Sequence, residues 1–460
     1  MIKIHNLLDI EQKLDINKKN KSLYGEIFTP YSLIKSMMLL IPEYVFYNKN
    51  LRWLDPGAGT GYFSIFLYYK LYETLKDIIS NDKERSEHII TNMLFMIEIN
   101  PDHCKHLKNI FGENANILNR DFLCNNAITE YKFDIIIGNP PFNSKGIKKV
   151  PTNKNNKKTQ DGSTIWGDFL KKSMNLLIKN GLLCFITPSI WMKPDKARLY
   201  HYINQYKIHK LHALTNTQSN KIFKGEAQTP CAFYLIEKID SDNTLDIYDN
   251  DKEKYITYSL KPEIPIPVFG VGIINKFILK LNNTNKLKIF KSNLPSKDCI
   301  LYDTQGKKNE FYKNIHTCIL SNETPELVIK YSSKPCNFYN RKKLVMAHGM
   351  YGFPYLDIHG EYGISNRDKY IILRESTDEL IKLAKFFSTK TALYLFESTR
   401  YRMKYLERYI FELIPDITCL DDFPDEINDD TIAEYFNLDE EDKNNIQSLN
   451  IKKYQFFTFN

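Results

Sequence analysis

The run Asp134-Ile135-Ile136-Ile137-Gly138-Asn139-Pro140-Pro141-Phe142 carries an apolar segment into a turn built to accept hydrogen bonds. Proline fixes φ and has no N–H, so the turn presents carbonyl oxygens, and the Asn139 side chain adds another acceptor. Two such acceptors can take both hydrogens of a planar exocyclic NH2. With Phe142 stacked on the ring that bears it, the nitrogen lone pair would face an electrophile. Asn139, Pro140, Pro141 and Phe142 are therefore the candidate catalytic residues.

A pocket for the electrophile is expected upstream. Trp53-Leu54-Asp55-Pro56-Gly57-Ala58-Gly59-Thr60-Gly61 reads as a strand ending in an acid, a glycine-rich turn, and a helix from about Tyr62. Such a turn lets backbone approach a nucleotide closely. It departs from the dinucleotide fingerprint, and Asp55 would repel a pyrophosphate, so a cationic cofactor without phosphates fits better. Met93 to Glu98 is a second apolar run ending in a carboxylate, suited to the two hydroxyls of a ribose, with Ile99 beside it. Asp121 in Asn119-Arg120-Asp121-Phe122 can accept from an adenine N6 amine, next to an aromatic ring.

In order along the chain, Phe28-Thr29-Pro30, Asp55 to Gly61, Glu98, Asp121-Phe122 and Asn139 to Phe142 resemble the amino-group, S-adenosylmethionine-dependent DNA methyltransferases of the N6-adenine type, in the gamma order found in restriction-modification systems. The resemblance covers roughly the first half of the chain. It implies that Thr29 and Pro30 border the methionine end of the cofactor, with Phe28 also in the cofactor-binding set, and that Asp55, Gly57 and Gly59 line its pocket. It further implies that Glu98 and Ile99 hold the ribose, that Asp121 and Phe122 hold the adenine, and that Asn139 and Pro140 hold the target amine against a base stacked on Phe142. The same turn serves enzymes that methylate cytosine N4, RNA or protein glutamine, and a non-catalytic DNA-binding subunit is a further alternative.

These residues need a sheet to align them. From Leu51 to about Lys238 strand-like runs alternate with helical stretches, the pattern of an α/β fold with a Rossmann-like methyltransferase sheet and helices on both faces. The expected strands are Leu51 to Leu54, Met93 to Ile97, Asp134 to Gly138, Gly181 to Thr187 and Ala232 to Glu237, with a helix after each of the first four. The long stretch between Gly61 and Glu98, charged at Asn81 to His88, reads as an extended helix and a surface loop. Thr29 and Pro30 also suit the N-cap and first position of a helix. Trp191 is read two ways, as a wall of the target pocket or as core.

Residues 1–240 are expected to form the catalytic domain and 241–460 a mixed α+β target-recognition and C-terminal domain, where short strands, aromatics and polar turns replace the earlier pattern. Arg341 and Lys343, with Lys342, Arg367 and Lys369, are candidate DNA contacts. So are Lys145, Lys148 and Lys149, with Lys154, Lys157 and Lys158, in the polar segment Asn143 to Gly162, which is read as closing over DNA phosphates. Asp421 to Asp430 is read as a structural cap before a short helix from Thr431 to Phe436.

Composition sets outer bounds. The 460 residues suffice for two or three domains, and 43% hydrophobic with 26% charged residues is ordinary for a globular protein. A net charge of +8 favours a polyanionic partner, here double-stranded DNA, without establishing one. The eight cysteines form no C-x-x-C pair and read as free thiols of a reducing, cytoplasmic setting, the host cytoplasm if the source is viral. No metal site, signal peptide or membrane span is expected. The 24 residues before Gly25 leave no room for an N-terminal nuclease, so any cognate restriction endonuclease would be encoded separately.

Overall fold

A computed structural model of the chain describes residues 28–124, 128, 130–144, 163–195, 197–225, 229–282, 284–305, 312–321, 324–347, 349, 354–402 and 406–449. They fall into two compact units, one within Met1–Tyr248 and Thr257–Lys261, the other within Asp249–Ile256 and Pro262–Asn460. Among the described residues no helix is long and apolar enough to cross a membrane.

The first unit is built on strands β1 (Trp53–Asp55), β2 (Leu94–Glu98), β3 (Asn116–Asn119), β4 (Phe133–Gly138), β5 (Leu177–Pro188), β6 (Tyr206–Leu214) and β7 (Cys231–Asp240), extended by β8 (Thr244–Asp249) and β9 (Lys254–Ser259). The strand order is β9-β8-β6-β7-β5-β4-β1-β2-β3. Strands β3, β2, β1, β4 and β5 are mutually parallel, while β7 inserts antiparallel between β5 and β6. This is a largely parallel α/β sheet with one strand, β7, reversed.

Side chains alternate across a strand, so a sheet covered on both faces must be apolar at odd and even positions alike. Ile135 and Ile137 of β4, with Leu182, Cys184 and Ile186 of β5, join one core cluster. Their neighbours Ile136, Leu183 and Phe185 are equally buried. Helices α1 (Tyr31–Met38), α2 (Tyr62–Thr74), α3 (Asp82–His88), α4 (Pro101–Phe111) and α5 (Trp166–Leu176) connect the strands, followed by the short α6 (Leu199–Asn204) and α7 (Asn216–Ile222).

Two local expectations change. Asn81 to His88 is helical: the Asn81 side chain accepts the N–H groups of Lys83 and Glu84, and the buried Arg85 donates to the carbonyls of Ile79 and Ser80. At the other boundary Pro30 is the N-cap of α1. Thr29 makes no cap bond there, and its hydroxyl has a different partner.

In the second unit the strand Lys343–Ala347 lies between Lys369–Leu373 and Tyr355–Asp357 in one four-stranded sheet, and Tyr312–Ser321 pairs with Thr324–Ser332 in another. Ile315, Val345, Ile364 and Ile371 form a shared core of the two sheets. Helix Asp429–Tyr435 begins earlier than expected, closed by a capping box of Asn428 and Thr431. Asp429 also caps a neighbour, accepting the N–H groups of Lys390 and Thr391 at the start of helix Lys390–Ser398.

Candidate active site

Strand β1 pairs in parallel with β2 on one side and β4 on the other, in the registers Trp53↔Leu94 and Trp53↔Ile135. The connections leave toward opposite sides of the sheet at this point, and a crevice beyond the carboxyl ends of the strands is the result. A cleft of about 360 Å³ occupies it. Its wall takes Pro56 to Thr60 after β1, Glu98 and Ile99 at the end of β2, Arg120 to Leu123 after β3, and Asn139 to Phe142 after β4.

The glycine loop is fastened to the neighbouring strand by two bonds. Ala58 N–H donates to the Ile97 carbonyl at 3.0 Å, and Gly59 N–H donates to Glu98 Oε2 at 2.7 Å. Gly59 and Gly61 have φ of +54° and +92°, conformations costly for any other residue. Glu98 Oε1 accepts the Asn100 N–H at 2.8 Å, and His103 Nδ1 stands 3.9 Å from the same oxygen. A carboxylate has about four acceptor directions, so this one retains capacity for a ribose diol.

Asp55 lies beneath the loop and is absent from the cleft wall. Its Oδ2 accepts from Ser64 Oγ at 3.1 Å, while the buried Oδ1 has no hydrogen-bond partner among the described residues. Burial raises its pKa to about 7, partly offset by the Ser64 hydroxyl and the Gly57 backbone, with Glu98 adding repulsion. A Cβ on Gly138 would sit 3.1 Å from Asp55 Oδ1, so the acid of the cofactor loop and the glycine before the Asn-Pro-Pro turn pack in direct contact.

At the far end of the cleft Asp121 Oδ1 accepts the Leu123 N–H at 2.9 Å. Phe122 is buried against Phe169 of α5, ring centroids 5.0 Å apart. Lys172 stands 5.2 Å above the Phe122 ring and donates to the Cys124 carbonyl at 2.7 Å. Burial lowers its pKa, and the charge of Asp121 acts in the opposite sense.

The Asn-Pro-Pro-Phe turn is held at both ends. Phe142 packs partly buried on the core, and its carbonyl accepts the Ile165 N–H at 3.2 Å just before α5. Asn143 and Ser144 pair antiparallel with Thr164 and Ser163. Asn139 Nδ2 donates to Thr29 Oγ1 at 3.0 Å, and Asn139 Oδ1, buried, has no hydrogen-bond partner among the described residues.

The cleft thus gathers Phe28, Thr29, Gly57, Gly59, Glu98, Ile99, Asp121, Phe122, Asn139, Pro140, Pro141 and Phe142 from the expected set. Tyr62, Phe63, His103, Arg120, Ile165 and Phe169 also line it and were not anticipated. Tyr62, directly after Gly61, was the most accessible to sequence reasoning; Phe28 meets it edge to face at 5.8 Å.

Other expectations need correction. Trp191 is fully buried and packs edge to face on Tyr234, so it is core and not a pocket wall. Lys343 is also fully buried, its ammonium engaged by Asp357 and the Arg341 carbonyl, and cannot contact DNA in this fold. Lys369 is buried too, whereas Arg341 is exposed, 3.8 Å from Glu375. Lys145, Lys148 and Lys149, with Lys154, Lys157 and Lys158, lie outside the described residues.

The residues present fit S-adenosylmethionine. Glu98 offers acceptors for a ribose, Asp121 and Phe122 offer an acceptor and a ring for an adenine, and aromatic side chains with an acidic loop suit a sulfonium better than a phosphate. Residues 15–223 match the model of the Eco57I restriction-modification methylase family. The type II methyltransferase M.AccI of Acinetobacter calcoaceticus is 26% identical over 206 residues, covering 43% of this chain and 34% of that protein. The modification methylase CviBIII of Paramecium bursaria Chlorella virus NC1A is 28% identical over 184 residues, covering 39% and 41%. The chain therefore spans well under half the length of these relatives. A solved structure of a nuclease-deletion mutant of the Type ISP restriction-modification enzyme LlaGI with a DNA substrate mimic shares 15% identity at a TM-score of 0.49, over 85% of this chain and 45% of that one. In its sequence, residues 15–223 are thus similar to the Eco57I restriction-modification methylase family, and the cleft they form suits S-adenosylmethionine.

Proposed function

We propose that this chain is a site-specific DNA methyltransferase acting on adenine N6, with residues 1–240 catalytic and 241–460 serving target recognition on double-stranded DNA. The observation that carries the reading is Asn139, a residue of the cleft wall: its amide nitrogen is tied to Thr29 while its buried amide oxygen has no hydrogen-bond partner among the described residues. That leaves an acceptor for a donor brought by the substrate, and an exocyclic amine is such a donor.

S-adenosylmethionine supplies an electrophilic methyl group on sulfur. Asn139 Oδ1 and the Pro140 carbonyl accept the two amine hydrogens, which draws the nitrogen lone pair out of conjugation with the ring. Phe142 offers a face on which a base extruded from the duplex can stack, a contact worth about 1–3 kcal/mol against an unstacking cost of a few kcal/mol. Pro140 and Pro141 hold the turn rigid, so that orientation contributes to the rate. No covalent enzyme intermediate is needed: the amine would take the methyl group as its bond to sulfur breaks, leaving a neutral thioether, and the surplus amine proton would pass to water.

Long-read sequencing of DNA from cells expressing the wild type and Asn139→Ala tests this. One sequence motif carrying modified adenine only with the wild type is the expected result. Modified cytosine at a motif would move the reading to N4, and an unmodified genome despite cofactor binding in vitro would refute DNA as the substrate.

A further inference from the structure

Asn139 and Thr29 lie 110 positions apart and meet at 3.0 Å, Nδ2 donating to Oγ1. Thr29 is 6% exposed and directly precedes Pro30, the N-cap of α1, yet its side chain caps nothing in that helix. Its hydroxyl is turned to the catalytic turn instead.

The consequence lies in the symmetry of a primary amide. Its two ends are similar in shape and opposite in hydrogen-bonding sense, and the terminal torsion of Asn is broad and roughly two-fold. The prolines after Asn139 fix backbone and leave this torsion open. With the nitrogen inward, the side chain would set N–H against the N–H of an incoming amine. With the oxygen inward, it accepts. A hydroxyl can serve either end of an amide; here it is Nδ2 that donates to Thr29 Oγ1, and Oδ1 is the end left without a partner among the described residues.

We infer that Thr29 is a positioning residue: its hydroxyl oxygen holds Asn139 Nδ2 and commits Oδ1 to the substrate amine, a role that rests on the amine methylation proposed above. Thr29 then serves the amine end of the reaction from the wall of the cleft, whereas Pro30, expected beside the cofactor, is absent from that wall and caps α1.

The test uses the full chain with Thr29→Val, which keeps the shape and removes the hydroxyl, and Thr29→Ser, which restores it. Side-chain amide exchange of Asn139 is followed in protein labelled with ¹⁵N-asparagine, the signal being the one lost in Asn139→Ala. Cofactor affinity is measured by calorimetry, and kcat and KM on DNA that carries the target motif. Thr29→Val should speed Asn139 amide exchange and lower kcat about tenfold, the scale of one neutral hydrogen bond. Any loss of cofactor affinity should be clearly smaller than the loss of kcat, since the bond that Thr29→Val removes is to Asn139. Thr29→Ser should recover both kcat and the slow exchange. An unchanged kcat in Thr29→Val overturns the role, as does a loss of cofactor affinity that matches the loss of rate. A wild type that binds cofactor and methylates no DNA overturns the proposed function, and the Asn139 signal then decides the Thr29 bond by itself.

Discussion

Glu98 holds Gly59: its Oε2 accepts the Gly59 N–H at 2.7 Å while Oε1 accepts that of Asn100 at 2.8 Å. One carboxylate at the end of β2 therefore shapes the glycine loop after β1 and also faces the cleft. Loop order and the wall of the cleft depend on the same side chain.

Glu98→Gln replaces one acceptor with a donor facing a backbone N–H. Charge-assisted bonds contribute roughly 1.5–3 kcal/mol, so S-adenosylmethionine affinity should fall about tenfold or more, with a drop in Tm. Calorimetry and thermal melting check both, and an unchanged Kd would remove Glu98 from the cofactor site.

Gly61→Ala should destabilise the first unit by on the order of 2 kcal/mol, because alanine pays for positive φ and its Cβ meets a neighbour. That Cβ would lie 2.5 Å from Leu107 Cδ2, with φ at +92°. Adding Leu107→Ala should relieve none of the backbone cost, so the double variant should remain below Leu107→Ala alone in denaturant titration.

Asp55 predicts a pH dependence. Burial raises its folded-state pKa to about 7 from 3.8, so the folded protein binds this proton more tightly than the unfolded chain does. The stability it contributes is fully present below about pH 4 and is lost as pH rises through about 7. Asp55→Asn, which can still accept from Ser64, should flatten that decline and melt higher than the wild type at pH 8. Parallel Tm curves from pH 4 to 8 would show that Asp55 is not the group responsible.

Lys343→Met should cost about 3–5 kcal/mol in the second unit, because it strands the Asp357 carboxylate in the interior. Both side chains are almost wholly buried, at 0% and 3% exposure. A variant that keeps its stability and loses DNA affinity would return Lys343 to the DNA-contact set.

Legibility in the sequence followed burial and local chemistry. β1, β2 and β4 could be read because each is an apolar run that ends in an acid or a proline turn, and α2 begins at Tyr62 as its glycine turn implies. β3 was missed because Asn116-Ile117-Leu118-Asn119 is short, polar at both ends and at the sheet margin. β6 was missed because Lys207, His209, Lys210 and His212 interrupt its apolar positions.

The site divides in the same way. Glu98 and Asn139 announce themselves by ending strands, whereas the partnership of Asn139 with Thr29 joins distant segments and has no local signature. Lys343 misled for the opposite reason: Arg341-Lys342-Lys343 looks like one exposed basic patch, but the third residue opens a buried strand and finds its counter-charge fourteen positions on.

The parallel pairing of β1 with β4 has a further consequence. Neighbouring strands stand about 4.8 Å apart whatever side chains they bear. In the proposed reaction, the loop that would receive the methyl donor and the turn that would receive the amine issue from two such neighbours, so backbone hydrogen bonds would act as its ruler. Surrounding side chains could then drift far, and a different target be adopted, while the distance set by the paired strands stays the same.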